Sequence, residues 1–193
     1  LTHSVNTVTV QLAHLVGVNK IINIAKGLGI KSDLKKNLSL ALGSSEVSLL
    51  NLTSAYAGFL NLGRQIYPRG WTDLRLKSNN EILITSVNHK SSQVVDTRVS
   101  KALIRMLVSV IESGTGREAF INGWHSAGKT GTSQDARDAW FVGFTSEYVV
   151  GVWMGTDDNA SLTGVVGGNL PSQIWFEIMK KIHSGMPKKL PVL

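Results

Sequence analysis

One short stretch of the chain combines residue types that suit recognition of an anionic peptide end. It reads Ala127-Gly128-Lys129-Thr130-Gly131-Thr132. Lys129 supplies a cation, Thr130 and Thr132 supply hydroxyl donors, and Gly131 lets another backbone approach a strand closely. An extended ligand ending in a carboxylate could add itself to this strand, with a nearby free N–H serving an oxyanion. The alternative is an ordinary strand with one exposed lysine, because Lys-Thr-Gly alone is short enough to occur by chance.

A second polar pair, Ser4 and Asn6, stands close to the first residue of the sequence. Inside a single helix these two side chains would lie about 200° apart around the axis and could not share a site. The pair can act together only if the chain breaks before the helix proper. The alternative is that Ser4 or Asn6 simply caps that helix.

Hydrophobic spacing predicts the helices that must position these residues. Two consecutive helices are predicted before Gly27, because apolar residues recur every three or four positions. A longer core helix should follow, with its cap among Ser44, Ser45 and Glu46 and its end at Gly63.

Two more helices are predicted in the second half of the chain. Asp96 or Thr97 can cap the first, which leads to Gly114-Thr115-Gly116. We interpret that Gly-Thr-Gly turn as a C-terminal cap in preference to a direct ligand contact. Pro171 should begin the last helix. The residues expected on one face of it are Ile174, Ile178 and Ile182, with Trp175 beside them.

The strands are predicted from alternation and from short polar links. Residues 64–95 alternate around a polar turn at 77–81, which indicates a hairpin arm. Three further strands are expected at residues 124–133, 139–145 and 148–154, and their short connections favour antiparallel pairing. Helices around an antiparallel sheet make an α+β fold. The spatial order of the strands does not follow from the pattern.

The composition indicates one globular domain. The 193 residues include 42% hydrophobic side chains, carry a net charge of +7 and contain no cysteine, so neither a disulfide nor a thiolate metal site can form. Because the basic residues occur in short separated groups such as Lys35-Lys36, Lys180-Lys181 and Lys188-Lys189, we expect a solvated basic surface and no nucleic-acid partner. No apolar run approaches the ~20 residues that span a bilayer, and no methionine opens the chain, which we expect to be a piece of a longer protein.

Other side chains that could carry chemistry are better explained by structure. The histidines lack ligand spacing, which favours surface or packing roles over a metal site, so no cofactor is expected. They are His3, His14, His89, His125 and His183. Trp140, Trp153 and Trp175 are expected in the core.

Taken together, the motifs resemble those of penicillin-recognising serine acyl-transfer enzymes, which combine Ser-x-x-Lys, Ser-x-Asn and Lys-Thr-Gly in that order. Over nearly its whole length the chain is similar to the transpeptidase domain of class A, bifunctional penicillin-binding proteins. The segments that carry the resemblance are Ser4-Val5-Asn6-Thr7-Val8-Thr9-Val10-Gln11-Leu12-Ala13, Ala55-Tyr56-Ala57, Gly114-Thr115-Gly116, Ala127-Gly128-Lys129-Thr130-Gly131-Thr132, Arg137-Asp138-Ala139-Trp140-Phe141-Val142-Gly143-Phe144, Gly151-Val152-Trp153-Met154-Gly155 and Gly167-Gly168-Asn169-Leu170-Pro171.

The resemblance implies a partial β-lactamase/transpeptidase-like fold, in which residues 1–193 form the carboxyl-terminal portion of the domain and residues 184–193 a loose tail. Ser4 would relay a proton to the leaving amine, and Asn6 would hold an amide of the bound peptide. Lys129 would keep the site electropositive and support Ser4. Thr130 and Thr132 would bind the terminal carboxylate, and Gly131 between them would also belong to the substrate-binding residues. The Thr132 N–H would be one donor to the oxyanion.

The resemblance also implies a reaction and a place. The parent would be a serine-type D-Ala-D-Ala transpeptidase of peptidoglycan biosynthesis, which cross-links stem peptides of the cell wall. It would work at the periplasmic, extracytoplasmic face, anchored in the cytoplasmic membrane by an upstream segment, and would also carry a glycosyltransferase domain. The expected partners are D-Ala-D-Ala stem peptides, β-lactams and the remainder of the transpeptidase domain.

One family motif does not occur at its expected place in these residues, since no Ser-x-x-Lys precedes Ser-x-Asn. Ser32 and Lys35 have the spacing but follow Ser-x-Asn, whereas Ser126 and Lys129 would point to opposite faces of a strand. Ser86-Val87-Asn88 repeats Ser-x-Asn by chance. We therefore expect the 193 residues alone to be inactive and to form no penicilloyl adduct.

Two other functions remain open. One is a hydrolase of the same superfamily, a D,D-carboxypeptidase or β-lactamase, in which water accepts the acyl group. The block Asp138-Ala139-Trp140-Phe141-Val142-Gly143 resembles the class A synthases more closely. The other is a non-catalytic module that binds the wall or a partner protein.

Overall fold

The computed structural model describes residues 1–87 and 89–187, so Asn88 and residues 188–193, with Lys188-Lys189 and the end of the predicted tail, lie outside the described residues. The helices are α1 Asn6–Val16, α2 Val18–Gly27, α3 Leu49–Leu60, α4 Thr97–Glu112 and α5 Leu170–Ile182. The strands are β1 Asp73–Arg75, β2 Ile82–Thr85, β3 Ala127–Thr132, β4 Ala139–Phe144 and β5 Val149–Met154. Short 3-10 turns lie at Leu38–Leu42, Arg117–Ala119 and Gln134–Ala136. The predicted α+β class is confirmed.

The main sheet is an antiparallel meander in the order β3-β4-β5. Its register sets Lys129 opposite Val142 and Thr130 opposite Phe141. Since successive side chains of a strand point to opposite faces, Lys129 and Thr130 belong to different faces of the sheet. The antiparallel pairing predicted from the short links is confirmed, and the spatial order follows the sequence.

Each face of the sheet packs against helices. On the face of Phe141, helix α5 contributes Trp175 and Met179 to a fully buried cluster. On the opposite face, the end of the sheet around Ala127 and Phe144 packs against Ile104, Leu107 and other side chains of α4 and α3. The rest of that opposite face, which includes Lys129, is left open to a groove.

The helix caps agree with the sequence in part. Asp96 caps α4 as predicted, because its Oδ1 accepts the Arg98 N–H at 2.7 Å. The cap predicted for α3 among residues 44–46 is wrong. Ser48 is the N-cap, and its Oγ accepts the Asn51 N–H at 3.2 Å. The residues at 44–46 belong instead to the loop after the 3-10 turn, where Ser45 Oγ accepts the Lys35 N–H.

The structure shows which face of α5 is buried. Ile178 and Ile182 are more than a third exposed, whereas Trp175 and Met179 are fully buried, and the expected place of Trp175 in the core is confirmed. Trp175 Nε1 also donates to Gly143 O at 3.2 Å, which fixes the helix on β4. Trp153 is 43% exposed, so its expected place in the core is wrong.

The predicted hairpin arm exists as β1 and β2, paired with Leu74 opposite Ile84. Both strands stand away from the core and are largely exposed. At the other end of the chain, Met186 packs against the cluster that contains Trp175.

Among the described residues no single helix is long and apolar enough to cross a bilayer. Helices α1 and α2 reach that length and hydropathy only when counted together, and they are bent by 93°.

Candidate active site

Ser4 lies in a turn just before α1 begins at Asn6. Its φ is 49°, a left-handed conformation that is uncommon outside glycine, and its N–H donates to Leu1 O at 3.2 Å. Val5 is the N-cap and makes no side-chain capping bond. The break that the sequence required is therefore present, and neither Ser4 nor Asn6 is the cap residue.

Ser4 and Lys129 meet although 125 positions separate them in the chain. Lys129 Nζ donates a short hydrogen bond to Ser4 Oγ and a second one to Thr130 O at 2.9 Å. Asn6 is exposed in the first turn of α1, two residues after Ser4. The structure thus brings Ser4 and the Lys-Thr-Gly strand together, with Asn6 beside them in the chain.

The Lys129 ammonium is partly buried, and burial lowers its pKa. Within residues 1–87 and 89–187 it takes part in no salt bridge, and its hydrogen-bond acceptors are two uncharged hydroxyls and a carbonyl. Its charge is therefore not neutralised by a described carboxylate. Such an ammonium attracts an anionic ligand more strongly than an exposed lysine does, since the surroundings screen it less.

β3 is an edge strand of the three-stranded sheet as far as the described residues extend. Ser133 N–H, just beyond its end, donates to Asp138 O on the β4 side at 3.0 Å. The N–H and C=O groups of successive residues alternate in direction along a strand. Since Ser133 N–H faces β4, the N–H and C=O groups of Thr132 and Thr130 face the open edge. In agreement with this direction, Thr130 O accepts a hydrogen bond from Lys129 Nζ.

The hydroxyls of Thr130 and Thr132 each have a hydrogen-bond partner elsewhere in the fold. Thr132 Oγ1 accepts the Gly167 N–H at 3.0 Å, which leaves its own proton to donate elsewhere. Thr130 Oγ1 lies 2.7 Å from Thr115 Oγ1. Both hydroxyls can therefore serve a ligand along the edge.

A groove of about 780 Å³ borders the face that carries Lys129. One wall is polar and consists of the β3 residues and Ser133, and the other walls come mainly from α2, α3 and the segment between them. Burial raises the pKa of the Tyr56 phenol to about 12, so that side chain stays neutral. The other apolar lining residues are Ile21, Ala25, Ile30, Leu34, Leu40, Leu42, Val47, Leu49, Leu52, Trp140, Val142 and Trp153.

The alternative Ser-x-x-Lys pair at residues 126–129 is not a reactive site. Ser126 is buried, and among the described residues its hydroxyl has no hydrogen-bond partner, whereas Lys129 turns to Ser4. No group of three or more histidine, aspartate or glutamate side chains within the described ranges could hold a metal ion. His183 is buried, where Thr145 Oγ1 lies 2.9 Å from its Nε2.

The sequence reading missed the second role of two glycine-containing turns. Gly116 N–H donates to Val110 O at 2.9 Å, which agrees with the predicted helix end, but the Thr115 hydroxyl also reaches Thr130 on strand β3. The sequence signal for this contact was the Thr115 hydroxyl itself, because a helix cap built by the two neighbouring glycines does not need it. Gly167 gave no local signal, since its partner Thr132 lies 35 residues earlier.

Comparison with known proteins adds a family relationship to this geometry. A family model of the penicillin binding protein transpeptidase domain matches residues 1–179. Penicillin-binding protein 1A of Aquifex aeolicus is 37% identical over 190 residues, which cover 98% of this chain and 26% of that protein. Penicillin-binding protein 1A of Neisseria meningitidis is 33% identical over 205 residues, 99% of this chain and 25% of that protein. The chain thus spans about a quarter of the length of these curated relatives.

Solved structures share the fold. Penicillin-binding protein 1A from Haemophilus influenzae superposes with a TM-score of 0.86 at 20% identity, over 100% of this chain and 35% of that one. The PonA1 protein of Mycobacterium tuberculosis, solved in complex with penicillin V, gives a TM-score of 0.78 at 23% identity, over 89% of this chain and 51% of that one.

Proposed function

This chain belongs to the penicillin-binding protein transpeptidase family, and from that premise we propose that residues 1–193 form the carboxyl-terminal portion of a peptidoglycan D,D-transpeptidase domain. The observation that carries the proposal is the contact of Lys129 Nζ with Ser4 Oγ beside the open edge of β3. A serine held by a partly buried ammonium next to an unpaired strand edge suits acyl transfer on a peptide.

The edge of β3 would hold the donor stem peptide. The terminal carboxylate of D-alanyl-D-alanine would accept hydrogen bonds from the hydroxyls of Thr130 and Thr132 and lie near the Lys129 charge. Gly131 leaves room for the ligand backbone, and Asn6 would hold an amide of the peptide. The Thr132 N–H, directed to the same edge, would donate to the oxyanion, a contribution of roughly 3 kcal/mol per donor.

The reaction would be transfer of an acyl group through a serine ester. In the parent protein the hydroxyl oxygen of the Ser-x-x-Lys serine would attack the carbonyl carbon of the penultimate D-alanine. The peptide bond to the terminal D-alanine would break, and the proton lost by the attacking hydroxyl would be relayed from the Ser-x-x-Lys pair through Ser4 to the leaving amine. An amine of a neighbouring stem peptide would then attack the ester, forming the cross-link and releasing the serine.

The place of action follows from the substrate. Peptidoglycan is assembled outside the cytoplasm, so the parent would work at the periplasmic face, held to the cytoplasmic membrane by an upstream segment. β-Lactams would bind as mimics of the donor peptide, with their carboxylate on the same threonines. No cofactor enters any step of this reaction.

Intact-mass spectrometry after incubation with penicillin tests the proposal. We expect the full-length protein to gain one penicilloyl group per molecule and a protein of residues 1–193 alone to gain none. In a separate assay without penicillin, the full-length protein incubated with lipid-linked stem peptides should yield cross-linked product. Trimmed peptide without cross-links would indicate a carboxypeptidase instead, and a full-length protein without any adduct would indicate a non-catalytic module.

A further inference from the structure

Three parts of the active site converge on Thr115, which follows α4. Its N–H donates to Thr2 O at 3.2 Å, and its hydroxyl lies 2.7 Å from that of Thr130. Its carbonyl packs against Gly168, where an added Cβ would lie 2.6 Å from the Thr115 oxygen. The amino-terminal segment, strand β3 and the loop before α5 therefore all touch this one residue.

The contact with Thr2 fixes the segment that carries Ser4. Thr2 Oγ1 lies 2.6 Å from Ser109 Oγ, so the side chain of Thr2 is held by α4 while its carbonyl is held by Thr115. Gly114 allows this approach, because a Cβ at that position would overlap Thr2 O. Ser4 stands two residues further on, and its hydroxyl position depends on this anchor.

Once a ligand carboxylate binds, it determines which of the two threonines, Thr115 or Thr130, donates in the hydrogen bond between them. A carboxylate only accepts hydrogen bonds, so Thr130 must donate its single hydroxyl proton to it. The bond between the two threonines can then persist only if Thr115 is the donor. Lys129 Nζ, at 3.5 Å from Thr130 Oγ1, is too distant to orient that hydroxyl well.

We propose that Thr115 is a positioning residue, which orients the Thr130 hydroxyl toward the ligand carboxylate and holds the Ser4 segment in register with β3. This rests on the proposed function, since it assigns a role within the same site. The hydroxyl of Thr115 serves carboxylate binding, and its backbone serves the placement of Ser4. Only the first of these roles is sensitive to removal of the hydroxyl.

The test compares Thr115→Val, which keeps the shape, with Thr115→Ser, which keeps the hydroxyl, in the full-length protein. Acylation by a fluorescent penicillin is followed to saturation, so that binding and the acylation step are measured separately. We expect Thr115→Val to raise the half-saturating concentration about 10-fold, the typical effect of one lost hydrogen bond near a charge. For Thr115→Ser, the half-saturating concentration should stay within about 2-fold of the wild-type value, because the hydroxyl is kept.

A purely structural role would not depend on the ligand carboxylate. The methyl ester of the same penicillin should therefore show no difference in binding between Thr115→Val and wild type. In a Thr130→Val background the additional Thr115→Val change should have no further effect. If the valine variant does not fold, Thr115→Ala removes the same hydroxyl and is read in the same way.

Equal losses in Thr115→Val and Thr115→Ser, or an unchanged loss with the ester, would overturn this inference while the wild-type protein is still acylated. A wild-type protein that penicillin does not acylate would overturn the proposed function and this inference together. The two failures are therefore distinguished by the wild-type measurement alone.

Discussion

At the scale of single residues, Lys129 is the group from which we predict a pH dependence of ligand binding. Burial lowers the pKa of its ammonium, and the charge is lost as the pH rises through that lowered value. In the proposed complex, the carboxylate of the ligand would then lose its cationic partner. Because the cause is burial inside the fold, the loss should begin at a lower pH than for an ordinary exposed lysine.

We predict that ligand binding by the full-length protein weakens on the basic side below the ordinary lysine pKa. The measurement is the pH profile of the half-saturating penicillin concentration. Lys129→Arg is the matched control, because arginine stays protonated throughout and should remove this basic limb even if overall affinity falls. A basic limb that persists unchanged in Lys129→Arg would assign the titration to another group.

The residues of this site differ in how far sequence could predict them. Lys129, Thr130 and Thr132 are predicted from residue type. Ser4 and Asn6 are predicted from the Ser-x-Asn resemblance, on the condition that the chain breaks before the helix. That Ser4 reaches Lys129 across 125 positions is a tertiary contact, which periodicity cannot supply. Thr115 was missed because its helix-end role accounted for both neighbouring glycines.

At the scale of elements, α5 shows that an apolar stripe does not by itself fix the rotation of a helix about its axis. Ile174, Ile178 and Ile182 recur at helical spacing, yet the buried face is centred on Trp175 and Met179. The Trp175 indole fills the space left by Gly143 on β4 and donates to the Gly143 carbonyl. That packing determines the rotation of α5 about its own axis. Spacing gave the helix and its start, whereas volume complementarity with the sheet set its rotation.

This rotation predicts unequal costs for two substitutions on the same helix. Trp175→Ala should lower the free energy of unfolding by about 3–5 kcal/mol, because a fully buried aromatic side chain is lost. Ile178→Ala should cost less than about 1 kcal/mol, since Ile178 is already 38% exposed. Chemical denaturation of the full-length protein measures both, and similar costs at the two positions would mean that α5 is rotated differently.

At the scale of the whole molecule, the sheet and its helices leave apolar surface uncovered. The groove beside Lys129 is lined mainly by apolar side chains, and helix α1 exposes Val8, Leu12 and Leu15, the last by 80%. The antiparallel meander could be predicted because it is built from short links between adjacent strands. The packing of α1 against the 3-10 turn at Leu38–Leu42 could not, since α2 separates these two segments in the sequence.

If residues 1–193 are the carboxyl-terminal portion of a larger domain, as proposed, the rest of that domain should cover α1. Leu15→Lys then has opposite consequences in two proteins. In residues 1–193 alone it should leave thermal stability unchanged and reduce self-association, because an exposed apolar side chain becomes charged. In the full-length protein it should lower stability by about 2 kcal/mol or more, because the same lysine is forced into a packed interface.

His14→Lys, also exposed on α1 but about 100° around the helix axis from Leu15, is the control for this last comparison. It places the same side chain on the same helix without removing an apolar one from the exposed stripe, so it should change stability little in either protein. Thermal unfolding of all four variant proteins and sedimentation of the two short ones measure the outcome. Equal tolerance of Leu15→Lys in both lengths would show that α1 faces solvent in the full-length protein as well, and the proposed packing of the domain against this helix would be wrong.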